Sequence, residues 1–189
     1  MSVVARFGAF AARPIVLFVS LALVVVFSYA MNASGLPTSG TEFARLAQGP
    51  VFDFRSSGYD AHELAEALMR AGEPGRRIYG YFMVLDIPFP AIYATFWAGV
   101  FHRAVGDRTD AWRGLVLLPV LVALLDYGEN LGIAVGFFTY PALAPRAVTL
   151  ASGCTQAKLV ATPALLLVAM ALLVRWIVLR LLARSRARG

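Results

Sequence analysis

Three acidic residues lie inside stretches of the sequence that are otherwise apolar. Asp86 lies in LDIPFPAIY, and Asp126 and Glu129 lie in LVALLDYGENLGIAVGF. Asp126, Glu129 and Asn130 are spaced i, i+3 and i+4, which places them on one face of a helix. A charged side chain at the centre of a membrane-spanning helix costs about 2.5–3.5 kcal/mol, so such acids are expected to face one another, a polar cavity or a partner. The pattern predicts one acidic pocket that binds a ligand or a proton.

Two prolines follow the first of these acids. Pro88 and Pro90 each remove a backbone N–H donor and clash with the preceding turn, which predicts a break in the helix just after Asp86. Carbonyl groups freed by such a break are tolerated in a membrane only against protein or a wet cavity. Tyr93, about two turns after Asp86, is placed to donate its hydroxyl to the cluster.

Lys158 is the only lysine of the chain, and it lies at the start of the last apolar segment. Its side chain can extend outward to the membrane surface or turn inward to an acid, and the sequence leaves both open. Crowded carboxylates in a low dielectric repel, so we expect at least one of the three acids to hold a proton at neutral pH. The alternative is a satisfied hydrogen-bond network, with Asn130 and Tyr93 as partners, that only locks the helices together.

The composition indicates what positions these residues. Of 189 residues, 59% are hydrophobic and 15% are charged, which excludes a soluble enzyme and a disordered chain. We predict an all-α polytopic membrane protein, a single domain of four transmembrane helices with a short surface helix in its first outer loop. The spans are expected at about 14–31, 78–104, 112–138 and 155–182. The first span could instead be a cleaved signal peptide, because it follows a basic segment.

The distribution of basic residues predicts the orientation in the membrane. Ten of the 17 arginine and lysine residues lie at one set of span ends, against seven at the other, so both termini are expected in the cytoplasm of a bacterial inner membrane. The tail at 183–189 is expected to be a basic cytoplasmic segment, which serves either as a simple topology anchor or as a contact for anionic membrane lipids. The net charge of +6 lies at membrane edges and does not indicate a nucleic-acid partner.

The loop at 32–77 is the only large piece outside the spans. It is too short for a confident core of its own, so we expect it to lie on the membrane surface. Within it, Asp60 can cap a helix with Glu63 three residues later, and Gly72 can end that helix.

A basic and aromatic group leads from this loop into the second span. Arg76, Arg77 and Tyr79 are typical of an anchor at the membrane interface or of contacts with lipid headgroups. An arginine that folds over the acids is the alternative.

Other chemistry is not indicated. His62 and His102 are expected in interfacial positions, and Cys154 is expected to be a buried thiol without a base beside it. No metal-ligand spacing and no phosphate-binding loop occur, so we expect neither a metal site nor a cofactor.

Three motifs carry a resemblance to known proteins. Gly75-Arg76-Arg77-x-Tyr79, Asp86-x-x-Phe89-Pro90-x-x-Tyr93 and Asp126-x-x-Glu129-Asn130 resemble a group of uncharacterised bacterial four-span inner-membrane proteins. More distantly, the layout is similar to the emopamil-binding and sigma-2-receptor-like family of sterol isomerases, whose fold implies acids in an apolar cavity. That family also uses an intramembrane histidine, which this sequence lacks in its spans.

Three functions are compatible with the pocket. The leading one is binding or transport of a proton, a cation or a small amphipathic ligand. The second is an acid–base enzyme that acts on a lipid. The third is a subunit or assembly factor whose acids meet a membrane-protein partner.

Overall fold

The computed structural model describes residues 2–105 and 114–186, and side-chain burial up to residue 178. Arg108, Arg113 and residues 187–189, which contribute to the predicted orientation, lie outside the described residues. The described helices are α1 (Val3–Ala11), α2 (Pro14–Asn32), α3 (Gly40–Ala47), α4 (Ala61–Asp86), α5 (Phe89–Val105), α6 (Leu117–Thr139) and α7 (Pro145–Arg186), with short 3-10 turns at Phe52–Phe54 and Gly114–Val116.

Four helical segments of the described chain are long and apolar enough to cross a membrane. They are Pro14–Asn32, Ala61–Val105, Gly114–Thr139 and Pro145–Val178. The all-α polytopic fold predicted from the sequence is therefore confirmed.

The first part of α4 is the predicted surface helix. Asp60 accepts from the backbone N–H of Glu63 at 2.9 Å, and Glu63 accepts from the backbone N–H of Asp60 at 3.0 Å, which completes a capping box. Gly72 then adopts φ +62° and ψ −169°, a conformation that suits glycine. This residue kinks the chain and directs the rest of α4 into the bundle.

The chain breaks again between α4 and α5, as the two prolines predict. Helix α4 ends at Asp86 and α5 begins at Phe89. The side-chain amide of Asn130 donates to the freed backbone carbonyl of Asp86 at 3.5 Å. The break therefore places the Asp86 carboxyl group and its carbonyl against α6.

The first loop packs against the helices of the bundle, and its position on the membrane surface stays a prediction. Together with the first part of α4, residues 33–71 form a cap that is folded into the core at one end of the bundle. Phe43 of α3 stacks on Tyr79 at 4.3 Å between ring centroids, and Phe52 is fully buried beside them. The loop has too few apolar residues for a core of its own, but it completes one that α4, α6 and α7 begin.

The predicted contact of Tyr79 with lipid headgroups is therefore wrong. Its side chain is 1% exposed inside the aromatic core of the cap. The cap covers the position that would otherwise meet lipid headgroups.

Two boundaries also differ from the prediction. Helix α7 begins at Pro145, ten residues before the expected start at 155, because Pro145 suits a first helical turn and the added residues pack against α6. The N-terminal basic segment forms α1, in which Ser2 caps the backbone N–H of Ala5.

Helices α6 and α7 pack closely at Gly132. A Cβ atom added there would meet the carbonyl oxygen of Ala147 and lie 2.7 Å from the Cβ of Ala151. We expect Gly132→Ala to lower the free energy of unfolding by about 1–3 kcal/mol, because the two helices must separate to admit the methyl group. Thermal unfolding in detergent measures the change.

Gly153→Ala is the matched control on α7, since a Cβ atom there has no neighbour within 4 Å. This variant is expected to be at least as stable as the wild type. Equal stability of the two variants would show that the interface at Gly132 is looser than described.

Candidate functional site

Lys158 of α7 lies at the centre of a cluster of carboxylates. Its Nζ donates to Asp126 Oδ1 at 2.8 Å, forms an ion pair with Glu129 Oε2, and lies 3.7 Å from Asp53 Oδ2. The lysine side chain is 13% exposed, and that of Glu129 is fully buried. Of the two orientations left open by the sequence, the lysine adopts the inward one.

Asp53 is the member of the cluster that sequence reasoning missed. It lies in the 3-10 turn Phe52–Phe54 of the cap, outside every apolar segment. Phe52 anchors this turn in the core, and the Arg55 guanidinium lies over its ring at 4.3 Å. The signal in the sequence is an acid between two phenylalanines, of which Phe52 is fully buried and Phe54 is 63% exposed.

Glu129 is held by a chain of hydroxyl groups that joins α7 to the cap. Thr155 Oγ1 donates to Glu129 Oε1 at 2.8 Å, and the Tyr59 hydroxyl lies 3.1 Å from Thr155 Oγ1. Thr155 has one hydroxyl proton, and an ionised carboxylate is a stronger acceptor than the Ala151 carbonyl 3.0 Å away. With that proton directed to Glu129, Tyr59 donates to Thr155.

A close backbone contact fixes this chain of hydroxyls. The backbone N–H of Tyr59 donates to Ser152 Oγ at 2.8 Å. The preceding residue, Gly58, has φ +80°, and a Cβ atom on it would lie 2.8 Å from Ser152 Oγ. Only glycine lets the cap approach α7 closely enough to place Tyr59 here.

Asp126 receives a second donor from α5. The Tyr93 hydroxyl donates to Asp126 Oδ2 at 3.0 Å, while Lys158 occupies the other carboxylate oxygen. The structure thus joins Tyr93, Asp126, Glu129 and Lys158 in one network, four of the residues that the sequence singled out.

Asp86 and Asn130 lie beside this network. Asp86 is 3% exposed and, together with Asp126 and Lys158, lines the cavity described below. Asn130 interacts with its carboxyl group as well as with its carbonyl oxygen. Of the two prolines that direct Asp86, Pro90 is fully buried and Pro88 is exposed.

The two arginines predicted near the site remain apart from it. Arg76 donates to the Leu68 carbonyl at 3.2 Å and pairs with Glu73, also at 3.2 Å. Arg77 lies 3.9 Å from the same glutamate, with its side chain 69% exposed. Neither arginine folds over the acids.

An apolar cavity of about 430 Å³ opens from the acidic cluster. Asp53, Asp86, Asp126 and Lys158 contribute to its polar end. The remaining wall is mainly apolar and comes from α2, α4, α5, α6 and α7, with Val24, Phe82, Phe89, Trp97, Val122, Leu165 and Leu166 among its residues.

The cluster has an excess of negative charge. The four carboxyl groups of Asp53, Asp86, Asp126 and Glu129 face one ammonium group, so full ionisation leaves a formal charge of −3. A buried charge is costly without a partner, so the site favours protons or a further cation.

Oxygen atoms of Asp53, Asp126 and Glu129 lie within 4.8 Å of one another, a grouping that spacing along the sequence cannot show. The Lys158 ammonium group forms ion pairs with these three carboxyl groups.

Burial also alters the two titratable cap residues of the site. It raises the pKa of the Asp53 carboxyl, an effect that Lys158 opposes and Asp126 reinforces. It likewise raises the pKa of the Tyr59 hydroxyl, which therefore keeps the proton that it donates to Thr155.

The raised pKa of Asp53 predicts a pH dependence of stability. The folded protein retains a proton that the unfolded chain releases above the ordinary value of 3.8, so stability falls as pH rises from there through the folded pKa. We expect Asp53→Asn to remove the part of this decrease in stability that comes from the Asp53 proton. Chemical unfolding at a series of values between about pH 4 and pH 8 measures it.

Glu73→Gln is the matched control, because the Glu73 side chain is 73% exposed and lies outside the cluster. Its unfolding free energy should follow the wild-type pH profile. Parallel profiles for Asp53→Asn and the wild type would refute the assignment of Asp53 to the buried cluster.

Comparisons of the chain with protein-family models, with curated proteins and with solved structures gave no match. The resemblance drawn from the three motifs therefore stays a prediction.

Proposed function

We propose that this chain is a bacterial inner-membrane protein that binds a small amphipathic cation, with its charged group in the acidic cluster and its apolar part in the cavity. In the absence of such a ligand, the same cluster takes up a cation or a proton. One observation carries the proposal: a 430 Å³ apolar cavity ends at carboxyl groups that outnumber the single ammonium group beside them.

The polar end of the cavity supports a cationic group. Asp86 and Asp126 both line the cavity. A carboxylate offers about four acceptor positions, so Asp126 retains capacity beyond its bonds to Lys158 and Tyr93. A bound cation reduces the negative charge of the site, whereas a bound anion meets three or more carboxyl groups.

The apolar end supports a hydrophobic body on the ligand. Trp97, Phe82 and Phe89 line the wall. Ligand sites typically measure about 300–1,000 Å³ and are mainly apolar with a few polar groups, and this cavity fits that description. An inorganic cation alone leaves most of the volume unused.

The orientation of the site in the membrane follows from the basic residues. Arg6, Arg13, Arg103 and Arg175 lie at the end of the bundle away from the cap, which supports a cytoplasmic position for that end. The cap and the acidic cluster then lie toward the outer face.

Dodecylamine is the probe for this proposal. Trp97 lines the cavity, so its fluorescence reports binding once Trp112 and Trp176 are replaced by phenylalanine. We expect dodecylamine to change the Trp97 fluorescence, and this change to saturate as the dodecylamine concentration rises. Asp126→Asn should raise its Kd roughly ten- to a hundredfold, the equivalent of a hydrogen bond to a charged group worth about 1.5–3 kcal/mol.

Dodecanol and dodecanoate are the matched probes, with the same chain and no positive charge. Both should bind weakly, and Glu73→Gln should bind dodecylamine as the wild type does. Equal affinity for all three probes, or a folded Asp126→Asn variant with wild-type affinity for the amine, would contradict the proposal.

A second function, acid–base catalysis on a lipid, is favoured by two carboxyl groups, those of Asp86 and Asp126, that both line the cavity. One carboxyl group would donate a proton and the other accept one, as a double-bond isomerisation requires. The resemblance to sterol isomerases points the same way, although His62 and His102 do not line the cavity.

Incubation of the purified protein with a panel of unsaturated lipids and sterols tests this second function. Mass spectrometry combined with chromatography detects a shifted double bond. We expect turnover that Asp86→Asn abolishes, whereas an unchanged panel would leave ligand binding as the function.

A further inference from the structure

A second cavity lies at the end of the bundle away from the cap. It measures about 490 Å³ and is formed by Leu17 of α2, Val100 and Arg103 of α5, and Leu172 and Trp176 of α7, with a few neighbours. It shares no lining residue with the acidic cavity. We refer to it as the arginine groove.

Arg103 is the charged residue of this groove. It is exposed, and its Nε donates to the Ala12 carbonyl at 2.8 Å, which holds the guanidinium between α1 and α5. A guanidinium has five N–H donors, and the described residues use this one of them. No carboxylate in the described part of the chain forms an ion pair with Arg103.

Arg175 approaches the same end from α7. Its Nη1 donates to the Ala104 carbonyl at 3.3 Å, one residue beyond Arg103 in α5. Two basic groups are thus fixed to the backbone at the edge of one groove.

The charge balance of this end favours an anion. Among the residues that the structure describes, Arg6, Arg13, Arg103 and Arg175 lie at this end. All nine acids of the described residues belong to the cap, its kinked helix or the acidic cluster. An anion at the groove therefore meets a surplus of positive charge.

The walls of the groove indicate which anion fits. Leu17, Val100 and Leu172 are apolar, and they lie on helices that can cross a membrane. Trp176 at the edge is a residue type enriched at membrane interfaces. A free phosphate ion matches the arginines but leaves the apolar wall in contact with water, whereas a phospholipid covers both.

We propose that the arginine groove binds one anionic phospholipid, with its phosphate and headgroup at Arg103 and an acyl chain along the apolar wall. The interaction is independent of the ligand proposed for the acidic cavity.

Competition between two lipids tests the proposal. The purified chain is reconstituted into nanodiscs with equal amounts of phosphatidylglycerol and phosphatidylcholine that carry identical acyl chains, and native mass spectrometry then identifies the lipid that stays bound. We expect phosphatidylglycerol to be retained about fivefold over phosphatidylcholine, the effect of one basic residue at an anionic headgroup. Equal retention by the wild type would overturn the proposal without any variant.

Substitutions then locate the site. Arg103→Gln should bring the ratio close to one, and Arg103→Lys should keep part of the preference because it keeps the charge and loses the planar fork. Arg45→Gln in the cap is the matched control, with a side chain that is 68% exposed, and should keep the wild-type ratio. A folded Arg103→Gln variant that retains phosphatidylglycerol as the wild type does would place the lipid elsewhere and refute the assignment.

Discussion

The ion pairs of Lys158 are the interaction on which the rest of this structure depends. A single ammonium group on α7 contacts carboxylates of α6 and of the cap, so one side chain joins three separate parts of the chain. Removing each of these charged groups from water costs free energy. The attraction between the ammonium group and the carboxylates offsets that cost only when the distances between them are short and well defined. The packing of α6 against α7 at Gly132 and the contact of Gly58 with Ser152 both supply that precision. The ion pairs of Lys158 therefore depend on the packing of α7 against α6 and the cap.

The cap has a different role from that of an ordinary surface loop. Its aromatic residues Phe43 and Phe52 pack with Tyr79 into a core that the bundle alone leaves open, and the same packing directs Asp53 toward Lys158. Apolar burial thus stabilises the position of a charged group that would otherwise stay in water. This combination explains how a segment outside the predicted spans contributes to a site between them.

Long apolar runs, an i, i+3, i+4 pattern and two prolines were sufficient to predict four helices, the break after Asp86 and the grouping of Asp126 with Glu129. These features are local, and local spacing determines them. Asp53, Tyr59 and Thr155 could not be found in this way, because they meet the cluster through contacts between distant segments. Tyr79 was misplaced for the same reason: its position is typical of an interface, and only the folded cap shows that it is covered.

The order of residues along the chain has a consequence for synthesis. Asp53 and the acids of the second and third segments emerge from the ribosome before Lys158, which follows Asp53 by more than a hundred residues. Until α7 enters the membrane, the carboxyl groups of the nascent protein have no ammonium group to pair with. Helix α7 is therefore the one that completes the site, and a chain truncated before it would carry these carboxyl groups without their ammonium partner.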